Sequence, residues 1–404
     1  MIIRHLSALL LVFACLAAPA GAQTVPPAAD SQFAVFLQEL WPDAKARGIT
    51  RATFEAAFAG LTPDARVIAA TRRQPEYGKP VGAYVGSIVS AANIAVGLRK
   101  ASEWAAILDA VEKKYGVDRW TILAIWGMET SYGAEKDRWD VFRSLATLAQ
   151  ARYRDPYFRN ELLVALDILQ AEHIPRGRMV SSWAGAMGQT QFMPSNFVAY
   201  AVDFSGDGRR DIWTNVPDVL ASTANYFQQA GWTPDLPWGF EVVVPKAFDY
   251  RRSRASFLEW GKLGVRRADG DTLPGTGNAI LFFPSGAAGP AFLVTENFVV
   301  IKQYNNSDAY ALAVAHLADR LRGRGPIRAA WPLDDRQLSR DARIALQHKL
   351  AELGYDVHDF EGRIDFDLRD AIREMQVKFA MLPDGHPTAA LLDRLGVKVP
   401  VAGN

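Results

Sequence analysis

Apolar side chains at helical spacing fill most of the first half of the sequence, and this pattern limits the chain to a mainly helical fold. In the segment "FRNELLVALDILQAEHI", Leu162, Leu166 and Leu169 share one face of a helix. The same spacing runs through residues 33–115, with breaks at glycines and prolines, and returns in "VLASTANYFQQAGW". We therefore predict a core built from several packed amphipathic helices.

After Gly239 the spacing changes. The runs "FEVVVP", "AILFFP" and "FLVTENFVVIKQY" are strand-like and are separated by Gly and Pro. Helical spacing then returns in "DAYALAVAHLADRLRGRG". This order predicts a mainly α (α+β) fold in which a small β subregion is inserted into a helical domain.

The C-terminal region is predicted to be a small domain of three short helices, at residues 334–398. A linker at residues 326–333 separates it from the large domain, which covers residues 23–325. Two apolar stripes can close its core: Leu346, Leu350 and Leu353, then Leu368, Ile372, Met375 and Phe379. The linker predicts that the small domain moves independently of the large one.

The N-terminus has the features of a secretory signal peptide. A short basic region precedes the apolar run "LSALLLVFACLAA", and small residues precede a cleavage site after Ala22. We therefore predict an exported, periplasmic protein with a signal peptide at residues 1–22. Lipid anchoring at Cys15, the only cysteine, is the less favoured alternative. After cleavage the mature chain would hold no cysteine, which excludes disulfides and thiolate metal sites.

Overall charge and missing sequence patterns exclude several classes of function. The 404 residues carry a formal net charge of +1, so the chain lacks the basic footprint of a nucleic-acid-binding protein. Beyond the N-terminus no long apolar run predicts a membrane span. The sequence also lacks HExxH, GxSxG and Walker patterns, and its histidines are scattered.

Glu129 stands where the helical pattern calls for a core residue. In "TILAIWGMETSYG" it follows Ile122 and Trp126 on one face of a helix that we expect to run from Asp118 to Gly133. Burial disfavours the charged form of a carboxyl group, so we expect a raised pKa and a role as general acid. The alternative is a glutamate near a helix end that reaches solvent or pairs with an arginine.

The stretch "SSWAGAMGQTQFMPSNF" combines small residues with side-chain amides. Gly185 and Gly188 allow the backbone to approach a neighbour closely. Gln189, Gln191 and Asn196 can bind sugar hydroxyl or acetamido groups. A tight helix crossing followed by a turn explains the same pattern equally well.

The stretch "DFSGDGRRDIWTNVPD" has the spacing of the first half of an EF-hand calcium loop. Asp203, Ser205 and Asp207 take positions one, three and five, and the Arg209 carbonyl takes position seven. Position twelve lacks the usual glutamate, so Asp218 is the candidate for the closing carboxylate. The alternative is an Asp/Gly-rich turn without a metal.

These segments resemble one family of cell-wall enzymes, in the same order along the chain. "GMETSYG", "WAGAMGQTQFMPS", "VDFSGDG", "ANYFQQAGW" and "QYNNSDAYALAV" resemble the membrane-bound lytic murein transglycosylase B family over residues 30–325. Residues after the linker resemble the three-helix peptidoglycan-binding domain attached to many wall enzymes. The resemblance implies a lysozyme-like catalytic domain followed by a binding domain.

The resemblance also implies an activity. The family cleaves the β-1,4 bond between N-acetylmuramic acid and N-acetylglucosamine, and the muramyl C6 hydroxyl attacks C1 to leave a 1,6-anhydro end. Glu129 would be the single catalytic acid and base, oriented by Ser182, with no cofactor for catalysis. The resemblance places the following residues at the sugar subsites: Gln191, Tyr226, Tyr304 and Asn305.

A structural Ca2+ and several partners complete what the resemblance implies. The calcium ligands would be Asp203, Ser205, Asp207, Arg209 and Asp218. Glycan strands of peptidoglycan would be the main partner, and other cell-wall enzymes are candidate partners. Two alternatives remain open. One is a muramidase that hydrolyses the same bond, which usually needs a second carboxylate, and the other is a non-catalytic peptidoglycan-binding protein.

Overall fold

Six helices fill the N-terminal part of the described chain, as the helical spacing predicts. The computed structural model describes residues 28–71, 79–135 and 138–398, so the predicted signal peptide, with Cys15, lies outside the described residues. The first helices are α1 (Ala28–Ala46), α2 (Arg51–Phe58), α3 (Ala65–Thr71), α4 (Val81–Ile88), α5 (Ala91–Glu103) and α6 (Ala105–Tyr115).

The next part of the chain is also helical, and it includes one helix whose residues 218–227 are all buried. The helices are α7 (Arg119–Thr130), α8 (Val141–Gln150), α9 (Tyr157–Gln170), α10 (Pro194–Tyr200) and α11 (Val216–Gln229). Two short strands, β1 (Trp139–Asp140) and β2 (Val180–Ser181), pair in antiparallel fashion, and a 3-10 turn covers Arg176–Arg178. Helix α7 ends at Thr130, three residues before the predicted stop at Gly133.

The predicted β subregion is a five-stranded antiparallel sheet. Its elements are β3 (Gly239–Val243), β4 (Arg254–Ser256), α12 (Phe257–Lys262), β5 (Arg266–Arg267), β6 (Asn278–Phe282) and β7 (Ala291–Val294). The strand order is β4-β6-β7-β3-β5. Since β7 lies at the centre of the sheet, its side chains are buried on both faces, and Leu293 and Val294 are fully enclosed.

The run "FLVTENFVVIKQY" is not a single strand, which corrects the sequence-based prediction. Strand β7 ends at Val294, Thr295 caps the N–H of Asn297, and α13 (Glu296–Tyr304) completes the run as a helix. Helix α14 (Asp308–Leu321) follows after a short turn and packs against α7. Tyr304 therefore ends a helix rather than a strand.

The C-terminal region forms three helices with their own core, as predicted. They are α15 (Arg340–Glu352), α16 (Phe366–Lys378) and α17 (Ala389–Arg394). Leu346, Leu350 and Ile372 are fully buried in this core. Leu353, which we predicted to belong to the same stripe, is 43% exposed and lies outside the core.

The small domain is packed against the large one, and this differs from the independence that the linker predicts. Phe366 lies in the core of the large domain, with its ring centroid 5.6 Å from that of Phe282. The linker is also bound to the large domain, because the Glu241 carboxylate on β3 accepts the backbone N–H groups of Arg328 at 2.8 Å and Ala329 at 2.7 Å. The two domains thus form one packed body.

Within the described ranges, no single helix is both long and apolar enough to cross a membrane. Helices α4 and α5, which are bent by 45° at their junction, meet the length and composition test when they are taken together.

Candidate active site

Helix α7 places Glu129 at the end of a buried apolar row. The Asp118 side chain starts the helix, because it accepts the backbone N–H groups of Trp120 and Thr121, both at 3.2 Å. Trp126, one turn before Glu129, is buried. Glu129 itself is half-buried, so its carboxyl group lies at the boundary between the core and solvent.

Tyr310 donates a hydrogen bond from its hydroxyl group to Oε1 of Glu129. It stands in the first turn of α14, where the Ser307 side chain accepts its backbone N–H at 3.3 Å. Tyr310 is 3% exposed. Burial, and then the negative charge of Glu129, raise the pKa of Tyr310 well above its usual value. The tyrosine therefore remains a neutral donor to the carboxylate.

A cluster of aromatic rings lies beside this pair. The Tyr304 and Tyr226 ring centroids are 4.8 Å apart, and Phe192 lies 5.9 Å from Tyr304. The Tyr304 hydroxyl donates to the backbone carbonyl of Thr190 at 2.6 Å. Burial, and then the charge of Glu129, raise the pKa of Tyr304 well above its usual value. The structure thus brings Tyr226 and Tyr304 together in one aromatic cluster.

The side-chain amide of Gln189 is hydrogen-bonded within the protein, so this residue has a structural role. Its Oε1 accepts the indole N–H of Trp126 at 2.8 Å, and its Nε2 donates to the Trp213 carbonyl at 2.9 Å. In addition, the Thr130 hydroxyl donates to the Gln189 carbonyl at 3.2 Å. These bonds tie the glycine-containing turn to the end of α7.

Gly188 brings the backbone of this turn against a neighbour, as predicted. A Cβ atom at this position would lie 2.6 Å from the backbone oxygen of Ile212, and the backbone φ of Gly188 is +62°. Gln191, three residues after Gly188 in the same turn, also has a left-handed φ of +52°, and its Nε2 donates to the Gly188 carbonyl at 2.9 Å. The turn therefore holds a close backbone contact that a larger residue would prevent.

Ser182 and Asn305, both predicted site residues, lie in two different loops. The Ser182 Oγ accepts the N–H of Ala186 at 3.2 Å, which leaves the hydroxyl hydrogen available for another acceptor. Asn305 directly follows α13 as its C-cap, and its Oδ1 accepts the N–H of Ser307 at 3.2 Å. The predicted contact between Ser182 and Glu129 stays a prediction.

The backbone after α7 is strained. Ser131 and Tyr132 both adopt left-handed φ angles, +50° and +59°, which residues other than glycine rarely do. The Tyr132 ring lies against α5 and α7, where a Cβ at Gly97 or Gly127 would be 2.4 or 2.5 Å from it. Its hydroxyl oxygen is buried without a hydrogen-bond partner in the described chain. Such strain is typical of functional sites.

The loop that begins at Asp203 is organised by its own carboxylates. Asp203 accepts backbone N–H groups from Gly206 at 2.6 Å and Gly208 at 2.8 Å, while Asp207 accepts that of Arg209 at 2.9 Å. These bonds hold the pKa of Asp203 below its usual value, although burial acts in the opposite direction.

Asp218 is fully buried and braces the loop from α11. Its Oδ1 accepts N–H groups of Phe204 at 2.9 Å and Ser205 at 3.0 Å, and its Oδ2 accepts that of Asp211 at 3.0 Å. Burial raises the pKa of Asp218, whereas these backbone bonds lower it. Across the part of the chain that the structure describes, no group of three or more His, Cys, Asp or Glu side chains is arranged to hold a metal ion.

Comparison with known families decides what kind of protein carries this site. Residues 32–319 match the transglycosylase SLT domain family, and residues 339–395 match the peptidoglycan binding domain family. The chain belongs to the SLT transglycosylase family. The family resemblance stated from the sequence is therefore confirmed.

Individual proteins give the same result. The membrane-bound lytic murein transglycosylase B of Escherichia coli (strain K12) is 31% identical over 248 residues, which cover 58% of this chain and 65% of that protein. Our chain thus spans about two thirds of the length of this family member. The crystal structure of SltB3 from Pseudomonas aeruginosa with NAG-anhNAM-pentapeptide has 46% identity and a TM-score of 0.81, covering 90% of this chain and 99% of that one. The predicted mainly α, lysozyme-like fold is confirmed.

Another SLT family structure bears on the Asp203 loop. The Escherichia coli lytic transglycosylase SLT35 in complex with calcium has 25% identity and a TM-score of 0.60, covering 73% of this chain and 94% of that one. In our chain Asp203, Ser205 and Asp207 offer oxygen atoms, which calcium prefers. The donor chemistry of the loop fits the ion, but both Asp218 oxygens are already engaged by backbone N–H groups.

Tyr310 is the site residue that sequence reasoning missed. It ends the segment "QYNNSDAY", from which Tyr304 and Asn305 were chosen. The available signal was a lone hydroxyl on the otherwise apolar face of "AYALAVAHLA", which would need a buried polar partner. Glu129, the lone carboxyl on another apolar face, is that partner.

Proposed function

We propose that this chain is a lytic murein transglycosylase, which cleaves the β-1,4 bond between N-acetylmuramic acid and N-acetylglucosamine and forms 1,6-anhydromuramyl ends. The observation that carries this proposal is the half-buried Glu129 carboxyl group, which accepts a hydrogen bond from the buried Tyr310 hydroxyl and raises the pKa of Tyr304 through its charge. A glutamate in such surroundings can hold a proton and can also accept one.

Glu129 acts in both steps of the proposed reaction. It first protonates the glycosidic oxygen, so that the bond to the muramyl C1 breaks. The carboxylate then takes the proton from the muramyl C6 hydroxyl, whose oxygen forms the new bond to C1. Proton transfer in and out balances, no water is consumed, and Glu129 is protonated again at the end.

The sugar subsites are assigned to Gln191, Tyr226, Tyr304 and Asn305. Because the Tyr304 hydroxyl is bonded to the Thr190 carbonyl at 2.6 Å, this residue would meet the sugar through its ring rather than its oxygen. Sugar rings stack well on such aromatic faces. Ser182 has a hydroxyl hydrogen available and would orient Glu129 by donating it.

We assign the C-terminal domain, residues 334–398, to binding of peptidoglycan glycan strands. The match of residues 339–395 to a peptidoglycan binding domain supports this assignment. Other cell-wall enzymes are candidate partners. An exported, periplasmic location follows from the signal peptide proposed at residues 1–22, and it is consistent with a substrate that lies outside the cytoplasm.

Calcium would occupy the Asp203 loop as a structural ion without a part in bond cleavage. Asp203, Ser205, Asp207 and the Arg209 carbonyl would be its ligands. Asp218 could join them only by giving up backbone bonds, so we assign it the role of holding the loop in shape. The calcium complex of SLT35 supports the presence of an ion here.

Mass spectrometry of digested sacculi tests the proposed activity. A lytic transglycosylase yields anhydro ends, whereas a muramidase yields reducing ends that are heavier by one water. A non-catalytic binding protein would pellet with sacculi and release no fragments. We expect anhydro products, and products with reducing ends would contradict the proposal.

A further inference from the structure

One buried arginine of the C-terminal domain reaches into the large domain next to the candidate site. Arg369, on α16, is 3% exposed, and its Nη2 donates to Oδ2 of Asp308 at 2.6 Å. Its Nη1 donates to the Gly385 carbonyl at 3.0 Å, which fixes the guanidinium within its own domain. The carbon of the guanidinium group also lies 4.9 Å from the ring centroid of Phe282.

Asp308 is held by two cations at once. The Lys302 ammonium donates to its Oδ1 at 2.5 Å, and the same ammonium donates to the Ile364 carbonyl of the small domain at 3.2 Å. Burial alone would raise the pKa of Asp308, but Lys302 and Arg369 hold it well below its usual value. The carboxylate is therefore charged and fixed from both sides.

Asp308 is the first residue of α14, and the candidate site lies on both sides of it. Asn305, three residues earlier, is assigned to a sugar subsite. Tyr310, two residues later, donates to Glu129. A displacement of Asp308 would consequently move both groups, because the intervening turn is short and Ser307 caps the same helix.

We propose that Arg369 is a positioning residue for bond cleavage, which reaches from the C-terminal domain to hold segment 305–310 in the geometry that the site requires. This inference rests on the proposed function. It gives the peptidoglycan-binding domain a second role, since the domain would complete the cleavage site as well as bring the enzyme to its polymer.

Other contacts keep the two domains together when Arg369 is changed. Arg373 donates to the Leu281 carbonyl at 3.0 Å, and the Ala287 N–H donates to Asp384 at 2.9 Å. Phe366 adds an apolar anchor in the large domain. Substitution of Arg369 should therefore loosen segment 305–310 without releasing the small domain.

The test compares Arg369→Gln with Arg369→Lys and with Arg254→Gln. Arg254 also crosses between the domains, to Asp367 at 2.5 Å and Asp370 at 3.1 Å, but it is exposed and is the first residue of β4. On short soluble glycan chains, Arg369→Gln should lower kcat/KM about tenfold or more, because small displacements in a site have large effects on rate. Arg369→Lys should recover part of the loss, and Arg254→Gln should match the wild type.

Three further measurements separate positioning from stability and from wall binding. Arg369→Gln should pellet with intact sacculi as the wild type does. Asp308→Asn should reproduce the loss, and the double variant should be no worse than either single variant. Phe366→Leu should lower the melting temperature but keep the rate on short chains.

The inference is overturned if Arg369→Gln matches Arg254→Gln on soluble chains, or if its effect adds fully to that of Asp308→Asn. It is also overturned if Phe366→Leu lowers the rate on short chains as much as Arg369→Gln does. The packing of the two domains in general, and not Arg369, would then be responsible. Wild-type product masses from the same assay test the proposed function separately.

Discussion

Tyr310 and Glu129, 181 residues apart in the chain, are joined by a hydrogen bond across the packed pair α7 and α14. The tyrosine is buried and its pKa is raised well above the usual value, so it stays neutral and donates to the carboxylate. The bond holds Oε1 of Glu129 in place. This relationship gives Glu129 a defined orientation, which its proposed role as general acid requires.

Replacement of Glu129 by Gln should abolish bond cleavage while the fold is kept. The amide matches the carboxyl in shape but cannot transfer a proton, and we expect a loss of about 10²–10⁴-fold or more because one residue serves both steps. Release of anhydro products measures the effect. Glu135→Gln is a matched control, since Glu135 is exposed and bonds Ser131. A Glu129→Gln variant with half of the wild-type rate would remove Glu129 from the mechanism.

Tyr310→Phe should lower kcat by about tenfold, which is the usual effect of losing a hydrogen bond to a charged group. A donor favours the ionised carboxylate, so its removal should keep Glu129 protonated to higher pH. The pH–rate profile should therefore shift upward by a measurable amount. Tyr115→Phe, at a buried tyrosine of α6, is the control and should change neither quantity. An unshifted profile in Tyr310→Phe would mean that the bond does not tune Glu129.

Asp319 should make the free energy of unfolding depend on pH. Burial raises its pKa to about 6, although Arg324 at 3.0 Å and the Trp238 indole at 3.1 Å act against this. The unfolded chain loses the same proton near pH 4. Between these values the folded protein binds more protons, so this group lowers stability as pH rises from about 4 to 6.

Asp319→Asn removes that dependence, because the amide does not ionise. The free energy of unfolding of the variant minus that of the wild type should increase by up to about 3 kcal/mol between pH 4 and pH 7. Urea unfolding at several pH values measures this change. Asp43→Asn, at an exposed aspartate paired with Arg159 at 2.6 Å, serves as the control. Parallel stability curves for Asp319→Asn and the wild type would contradict the assignment.

Calcium should raise the melting temperature, and a chelator should lower it, because an ion that binds the folded state stabilises it by mass action. Asp207→Ala should remove the difference between calcium and chelator. Asp271→Ala, at an exposed acid outside the loop, should retain it. Asp218→Asn should destabilise the protein even in chelator, since it disturbs bonds to three backbone N–H groups. Identical wild-type melting curves in calcium and chelator would count against the ion.

Tyr132→Phe should stabilise the protein by about 1 kcal/mol, because it removes a buried hydroxyl group that lacks a hydrogen-bond partner. The ring and the left-handed backbone stay the same in both proteins, so they do not affect the comparison. Thermal unfolding gives the measurement. A lower melting temperature would show that the hydroxyl group is satisfied in solution.

Elements whose burial follows one simple period can be predicted from the amino-acid sequence. The stripe of α9 shows one apolar face, and a helix buries that face wherever it packs. Asp203, Ser205 and Asp207 were recognisable for a similar reason, since their spacing is a local property of one loop. Local patterns can be read without knowing the neighbours.

Which buried faces meet is visible only in the folded chain. The run "FLVTENFVVIKQY" is apolar throughout, and burial on all sides conceals the change from strand to helix at Thr295. The bonds from Tyr310 to Glu129 and from Arg369 to Asp308 join residues that are distant in the chain. Periodicity shows that a face is buried but not what it is buried against, because the partner is selected by packing of the whole chain.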